Sequence, residues 1–462
     1  MTSITRRTLL QGAAGAAALT GLPLPSMAGE ATPLVARSGT AQLTPEGYPP
    51  TAIWGYDGAV PGPTIRVPQG ARLTRAFSNA LPQPSSVHWH GIRITNAMDG
   101  VAYLTQEPVP TDATFLYDFS VPDAGTYWYH PHNRTWEQMA RGLYGALIVE
   151  EASGAPDVDM DEVLLIDDWR LDRDGQIAAG FGNLHDWSHG GRIGNWITVN
   201  GEAAWGRTVP RHARLRLRLV NAANARVFDL GAQGLTGWVV ALDGMPLDAP
   251  HPLEQVTLAP AQRADVIVDV TAEAGGEAFL FSRERDGGYA LATFQVESPK
   301  RAAARPTPAP LPANPVAALG PLDTARRATL TMEGGAMGRM RGATLNGRSV
   351  SAREMAQQGK VWALNGAADM PDAPLLDVTR GETVRITIVN DTNWPHGMHL
   401  HGHHFRQIDA AGGPGPLRDT ILLNRGESAE IAFVADNPGD WLLHCHMLEH
   451  AAGGMTTWLR VA

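Results

Sequence analysis

One pattern recurs three times along this 462-residue chain and limits its possible folds more than any other feature. "GARLTRAFSNA" (70–80), "RHARLRLRLVNAA" (211–223) and "RGETVRITIVNDT" (380–392) each alternate apolar and polar residues, and each strand pattern ends at an asparagine: Asn79, Asn221 and Asn390. Period-two alternation closed by a turn residue reads as a β-strand. Each is preceded by a short strand running into a turn, "GYDG" at 55–58, "TVNG" at 198–201 and "ALNG" at 363–366. The later halves also match: "DAGTYWYHPH" (123–132), "AGGEAFLFSR" (274–283) and "NPGDWLLHCH" (437–446) each place a glycine before an alternating aromatic strand. Strand-only units of about 130 residues predict β-sandwiches with Greek-key connections. Helix is expected to be scarce, with "SAREMAQQG" (351–359) as one short example.

Composition places the boundaries. "EASGAPDVDM" (151–160) reads as a first linker, and the Pro/Ala-rich "SPKRAAARPTPAPLPANPVAALGP" (298–321) as an extended connector that cannot hold a packed strand. The expected organisation is an export signal at 1–28, a first domain at 29–152, a second at 160–298, a linker at 299–322 and a third domain at 323–462. Arg6-Arg7, a weakly apolar Ala/Gly-rich run, and small residues Ser26 and Ala28 before the cleavage point read as a twin-arginine signal. The run is too short and too interrupted by Gly and Pro for a membrane anchor. The mature chain is therefore expected outside the cytoplasm, in the periplasm. The net charge of −10 argues against nonspecific nucleic-acid binding.

The chain has one cysteine and 16 histidines, ten of them in "HWHG" (88–91), "HPH" (130–132), "HGMHLHG" (396–402) and "HCHMLEH" (444–450). Residues i and i+2 of a strand share a face, so a His-x-His pair brings two imidazoles to one metal or to two adjacent ones. A single pair is weak evidence, because ordinary surface or core pairs are common. Four pairs at equivalent points of the first and third repeats are not ordinary, and the equivalent stretch of the middle repeat, around Phe281, has none. That contrast predicts a metal cluster between the first and last domains, with the middle one as a spacer. Imidazole suits zinc, copper and iron, whereas one thiolate with two imidazoles and a weak thioether suits a blue-copper electron-transfer site. Cys445, His450, Met455 and His396 supply that set.

With these motifs the chain resembles a three-domain multicopper oxidase of the laccase and cuprous-oxidase superfamily, over nearly its whole length after the signal. The resemblance implies an all-β fold of three cupredoxin-like Greek-key domains and four coppers per chain. It implies type 1 ligands His396, Cys445, His450 and axial Met455. It implies His88 and His399 at the type 2 copper, His90, His130 and His446 at one type 3 copper, and His132, His401 and His444 at the other. Cys445, flanked by His444 and His446, then lies on a covalent electron path between the two centres. Pro131 stands where Cys445 stands in the last repeat, so the first domain has cluster ligands only. The implied reaction is one-electron oxidation of a reducing substrate coupled to four-electron reduction of dioxygen to water. Asp99 matches the family's acidic residue beside the cluster, a proton relay, although Asp99-Gly100 also reads as a turn. His185, His189, His212, His251, His403 and His404 need no copper role.

Two departures stand out. Ala451 occupies the place of a glutamate found in many bacterial relatives, which leaves Asp99 to carry the proton route. Gly397 replaces the usual proline after the first type 1 histidine, with Pro395 in front. The donor stays open. "MEGGAMGRM" holds Met332, Met337 and Met340, a sparse thioether segment suited either to Cu(I) or to a plain connector. Phenols and aromatic amines are the laccase-like choice, with Asp391 near His396 as a proton acceptor or simply a turn residue. A copper-free structural relative is the competing class, disfavoured because every ligand position is filled. Two-domain nitrite reductases are disfavoured because they lack the full type 3 set and the third domain. A monomer is expected.

Overall fold

The computed structural model describes residues 31–284, 287–301, 303 and 305–462. The twin-arginine segment lies outside them. The three alternating segments form the strands Arg72–Asn79, Arg214–Asn221 and Thr383–Asn390, each ending on its asparagine. The reason is the same three times. The side-chain oxygen of each asparagine accepts from the backbone N–H two residues on, of Leu81, Ala223 and Thr392, each at 3.0 Å. Each amide then donates across to a loop carbonyl, of Val109, Leu258 and Asn424. The asparagine turns the chain and satisfies a buried carbonyl in one step. The short preceding strands end in turns whose Asp57, Asn200 and Asn365 have positive φ and are each followed by a glycine.

The second sheet of every repeat has one strand order. In the first it is Ile65–Pro68, Gly145–Glu150, Gly125–His130, His88–His90; in the third it is Leu376–Val378, Thr456–Val461, Gly439–Cys445, His396–Leu400, with Thr420–Leu423 beyond. The middle repeat runs Trp205–Pro210, Gly287–Glu297, Glu277–Glu284, Phe228–Gln233, with Val256–Leu258 beyond. In all three the first pair of strands is parallel. Many buried side chains of the middle repeat form a core around Leu217, Val266 and Phe294, while others, such as Val163, Leu165 and Val220, pack with Trp128, Tyr144 and Ile148 of the first. Those of the first and third make one continuous apolar cluster. The α-helices are four to six residues long. The expected short helix is Ala352–Gln357, capped by Ser351 and Glu354 in a reciprocal box. Two glycines let the repeats close on one another. A Cβ at Gly125 would lie 2.1 Å from the Gly244 carbonyl oxygen of the middle repeat, and one at Gly439 2.4 Å from Asn96 of the first.

Candidate metal centres

The strand His88–His90 pairs with Gly125–His130, setting His88 opposite His130. In the third repeat His396–Leu400 pairs with Gly439–Cys445, setting His399 opposite His444 and Met398 opposite Cys445. Side chains alternate across a strand, so Cys445 faces away from its flanking histidines. It meets His396 Nδ1 at 3.6 Å and His450 Nδ1 at 3.8 Å. The outer nitrogens of these rings are held elsewhere: His396 Nε2 on the Thr392 hydroxyl at 2.8 Å, His450 Nε2 on the His189 carbonyl at 2.7 Å. Both rings therefore aim Nδ1 at the sulfur. Met455 is buried and its backbone ties to Cys445 and His450. Burial pushes the Cys445 thiol up to about 12, so a thiolate at this place needs a cation beside it.

The other eight imidazoles converge between the first and third repeats, all buried except the half-buried His132. Three ligand atoms come together from His132, His401 and His444, with His401 Nε2 and His444 Nε2 3.1 Å apart. His130 Nε2 lies 3.4 Å from both His90 Nδ1 and His446 Nε2. The Nε2 atoms of His88, His399 and His132 are buried without a partner. Their ring faces answer why. His88 Nδ1 donates to the Asp99 carbonyl and His399 Nδ1 to the Asp419 carbonyl, so each Nε2 keeps a free lone pair. Burial also pushes six other rings of the group toward the neutral, metal-binding form, His132 to about 3 and His90, His130, His401, His444 and His446 well below the ordinary imidazole value. Orphaned imidazole nitrogens in converging sets are what soft divalent or monovalent metal binding requires, and the residues present fit copper.

Asp99 follows the turn Asn96–Met98 and precedes Gly100 at φ +80°. Its Oδ2 accepts from His401 Nδ1 at 2.9 Å and its Oδ1 lies 3.1 Å from His88 Nδ1. Asp391 is exposed. His403 and His404 are both buried, not solvent-facing, with His403 Nδ1 on the His401 carbonyl.

Some residues at the site carry no sequence signal of their own. Asp419 is fully buried 3.4 Å from His90 Nε2 and is paired with Arg263 of the middle repeat. Burial alone would raise its carboxyl; Arg263 and the adjoining imidazoles hold it well below the usual range. The middle repeat also covers the Cys445 centre. Beyond the helix Leu184–Ser188, His189 supplies the carbonyl for His450, and the Trp187 and Ser188 carbonyls accept from Trp362 Nε1 and the Ala336 N–H. Glu449, one residue before His450, is buried against Asn224.

A protein with three cupredoxin-like repeats and these two centres is a copper oxidoreductase. Three family models, each described as multicopper oxidase, match residues 38–154, 161–298 and 345–462. The chain belongs to the multicopper oxidase family. It is 30% identical to multicopper oxidase MmcO of Mycobacterium tuberculosis, over 93% of this chain and 88% of that protein. Among solved structures it is similar to Lac15 from a marine microbial metagenome, at 41% identity and a TM-score of 0.76 over 94% of this chain and 100% of the other. It is also similar to a multicopper oxidase from Pseudomonas thermotolerans, at 32% identity and a TM-score of 0.80 over 94% and 99%. As a family member it uses copper, typically four per chain, and couples oxidation of a reducing substrate to reduction of dioxygen.

Proposed function

We propose that His396, Cys445, His450 and Met455 hold the type 1 copper, His88 and His399 the type 2 copper, and His90, His130, His446 and His132, His401, His444 the type 3 pair. The observation that carries this reading is the triplet 444–446. His444 lies against His401 and His446 against His130, while Cys445 between them lies against His396 and His450. Copper supplies one-electron acceptance at the first centre and dioxygen reduction at the second. The protein orients the ligand rings through partners on their other nitrogens, such as the Thr392 hydroxyl for His396 and the Asp99 and Asp419 carbonyls for His88 and His399. Asp99, with one carboxylate oxygen on His401 and the other near His88, is placed to hold and pass protons. A cavity of about 470 Å³, walled by Trp136 and Trp187, reaches His132 and His444 and offers dioxygen and water a route.

The donor reading is laccase-like. Met332 is fully buried in the core and Met340 packs on a small cluster beside Met355, leaving Met337 as the one exposed thioether of its segment. One thioether does not make a Cu(I)-collecting surface. The cover over His450 instead presents aromatic rings, His189 and Trp394 at 5.2 Å, half-buried where a phenol or aromatic amine can lie against them. Oxygen consumption separates the donors: faster turnover with a phenol than with Cu(I) supports this reading, and turnover with Cu(I) alone makes the chain a cuprous oxidase. The N-terminal Arg6-Arg7 segment supports periplasmic export, and among the described residues no helix is long and apolar enough to cross a membrane.

A further inference from the structure

Asp419 repeats, in the third domain, what Asp99 does in the first. The Asp99 backbone carbonyl accepts from His88 of its own repeat, at 2.8 Å, and its Oδ2 accepts from His401 of the other repeat, at 2.9 Å. The Asp419 carbonyl accepts from His399 of its own repeat, at 2.9 Å, and its Oδ1 lies 3.4 Å from His90 Nε2 of the other. Each aspartate thus orients one histidine with its main chain and one across the domain boundary with its carboxylate. Nothing in the spacing shows the kinship, because Asp99 follows His88 by eleven residues and Asp419 follows His399 by twenty.

The two differ in one respect. Asp419 is gripped by the fully buried Arg263 of the middle repeat, through Nη1 to Oδ1 at 2.9 Å and Nη2 to Oδ2 at 2.7 Å. Arg263 in turn donates through Nε to the Thr126 carbonyl of the first repeat, at 3.2 Å. One guanidinium therefore joins all three repeats beside the cluster. A bidentate Arg–carboxylate pair fixes the plane of the carboxylate as well as its charge. Thr420 Oγ1 donates to Oδ1 as well, at 2.8 Å, so that oxygen is held from two sides.

We propose that Arg263 and Asp419 are positioning residues that set the tautomer of His90. With Oδ1 beside Nε2, the ring carries its proton there and leaves the Nδ1 lone pair toward His130 Nε2, 3.4 Å away, where our assignment would place a type 3 copper. The middle domain, which supplies none of the assigned ligands, thereby takes part in building the cluster. This rests on the ligand assignment above but adds residues that do not bind metal.

Two charge-neutral double variants, loaded with copper, test it. Arg263→Gln/Asp419→Asn keeps an acceptor oxygen for His90. Arg263→Met/Asp419→Leu removes it while filling the space with apolar atoms. Replacing a buried ion pair by apolar groups often leaves stability unchanged or higher, and a circular-dichroism melt checks that both fold. Copper per chain and the electron paramagnetic resonance of the type 2 copper are then read without turnover. The Met/Leu pair is expected to bind cluster copper roughly 10- to 100-fold more weakly, with the blue absorption of the Cys445 centre intact, and the Gln/Asn pair to stay near wild type. Equal cluster copper in the two variants overturns the proposal. A crystal structure of copper-loaded wild type needs no variant: His90 bound through Nδ1 with Nε2 on Asp419 is expected, and binding through Nε2 overturns it. Cluster copper outside the histidine set would instead fail the ligand assignment itself.

Discussion

Cys445 is the residue on which the first centre turns. A serine there keeps the size of the side chain but offers no soft thiolate to copper. Cys445→Ser is expected to lose the blue absorption and donor oxidation, with the fold and the histidine cluster retained. A visible spectrum and a melt on the same sample check this, and a blue variant would contradict it. Asp99→Asn is expected to slow dioxygen reduction by about 100-fold or more, the scale of a lost acid–base group, while anaerobic bleaching of the blue band keeps its rate. Stopped-flow separates the two half-reactions; slow bleaching with normal reoxidation would assign Asp99 to the turn alone. For Met455, a thioether donates to oxidised copper, so Met455→Leu is expected to raise the potential of the centre, read by redox titration. The candidate ligands were legible in the sequence because His-x-His on a strand is a local pattern. Asp419 was not, because its arginine partner lies 156 residues away and "RDT" carries no ligand spacing. The role of His189 is supplied by a backbone carbonyl, which any residue type provides, so no side-chain signal exists for it.

At the scale of elements, the three alternating strands and their asparagine ends followed from period-two patterning and turn chemistry. What patterning did not show is which side of the "MEGGAMGRM" segment faces inward. Met332 belongs to the strand Arg326–Gly334 and is buried there, opposite Leu364. Exchanging all three methionines for serine would therefore remove a core side chain as well as any metal contact. Met332→Ser is expected to lower stability by roughly 2–5 kcal/mol, the range for truncating a buried large side chain, whereas the exposed Met337→Ser should leave the denaturant midpoint unchanged. A similar shift for both would mean that the segment packs differently. The asparagine ends make a matching prediction. Asn221→Ala removes none of the assigned ligands, strands the Leu258 and Arg226 carbonyls and is expected to cost roughly 1–3 kcal/mol without abolishing the blue colour.

At the scale of the whole molecule, the first and third repeats share the cluster, and the middle repeat closes it from the side. The middle repeat, expected as a spacer without copper, also touches both groups of side chains. The middle repeat brings Arg263 to Asp419 and the His189 carbonyl to His450, contacts between distant segments that no local pattern encodes. The His-x-His pairs predicted a metal cluster, the resemblance to the family distributed ten histidines and Cys445 over its centres, and the fold brings those side chains into two groups. The most direct measurement is anomalous diffraction at the copper edge from crystals of copper-loaded protein. Four peaks are predicted: one among His396, Cys445 and His450, and three among the eight histidines shared by the first and third repeats. Peaks elsewhere, or none at Cys445, would contradict the account.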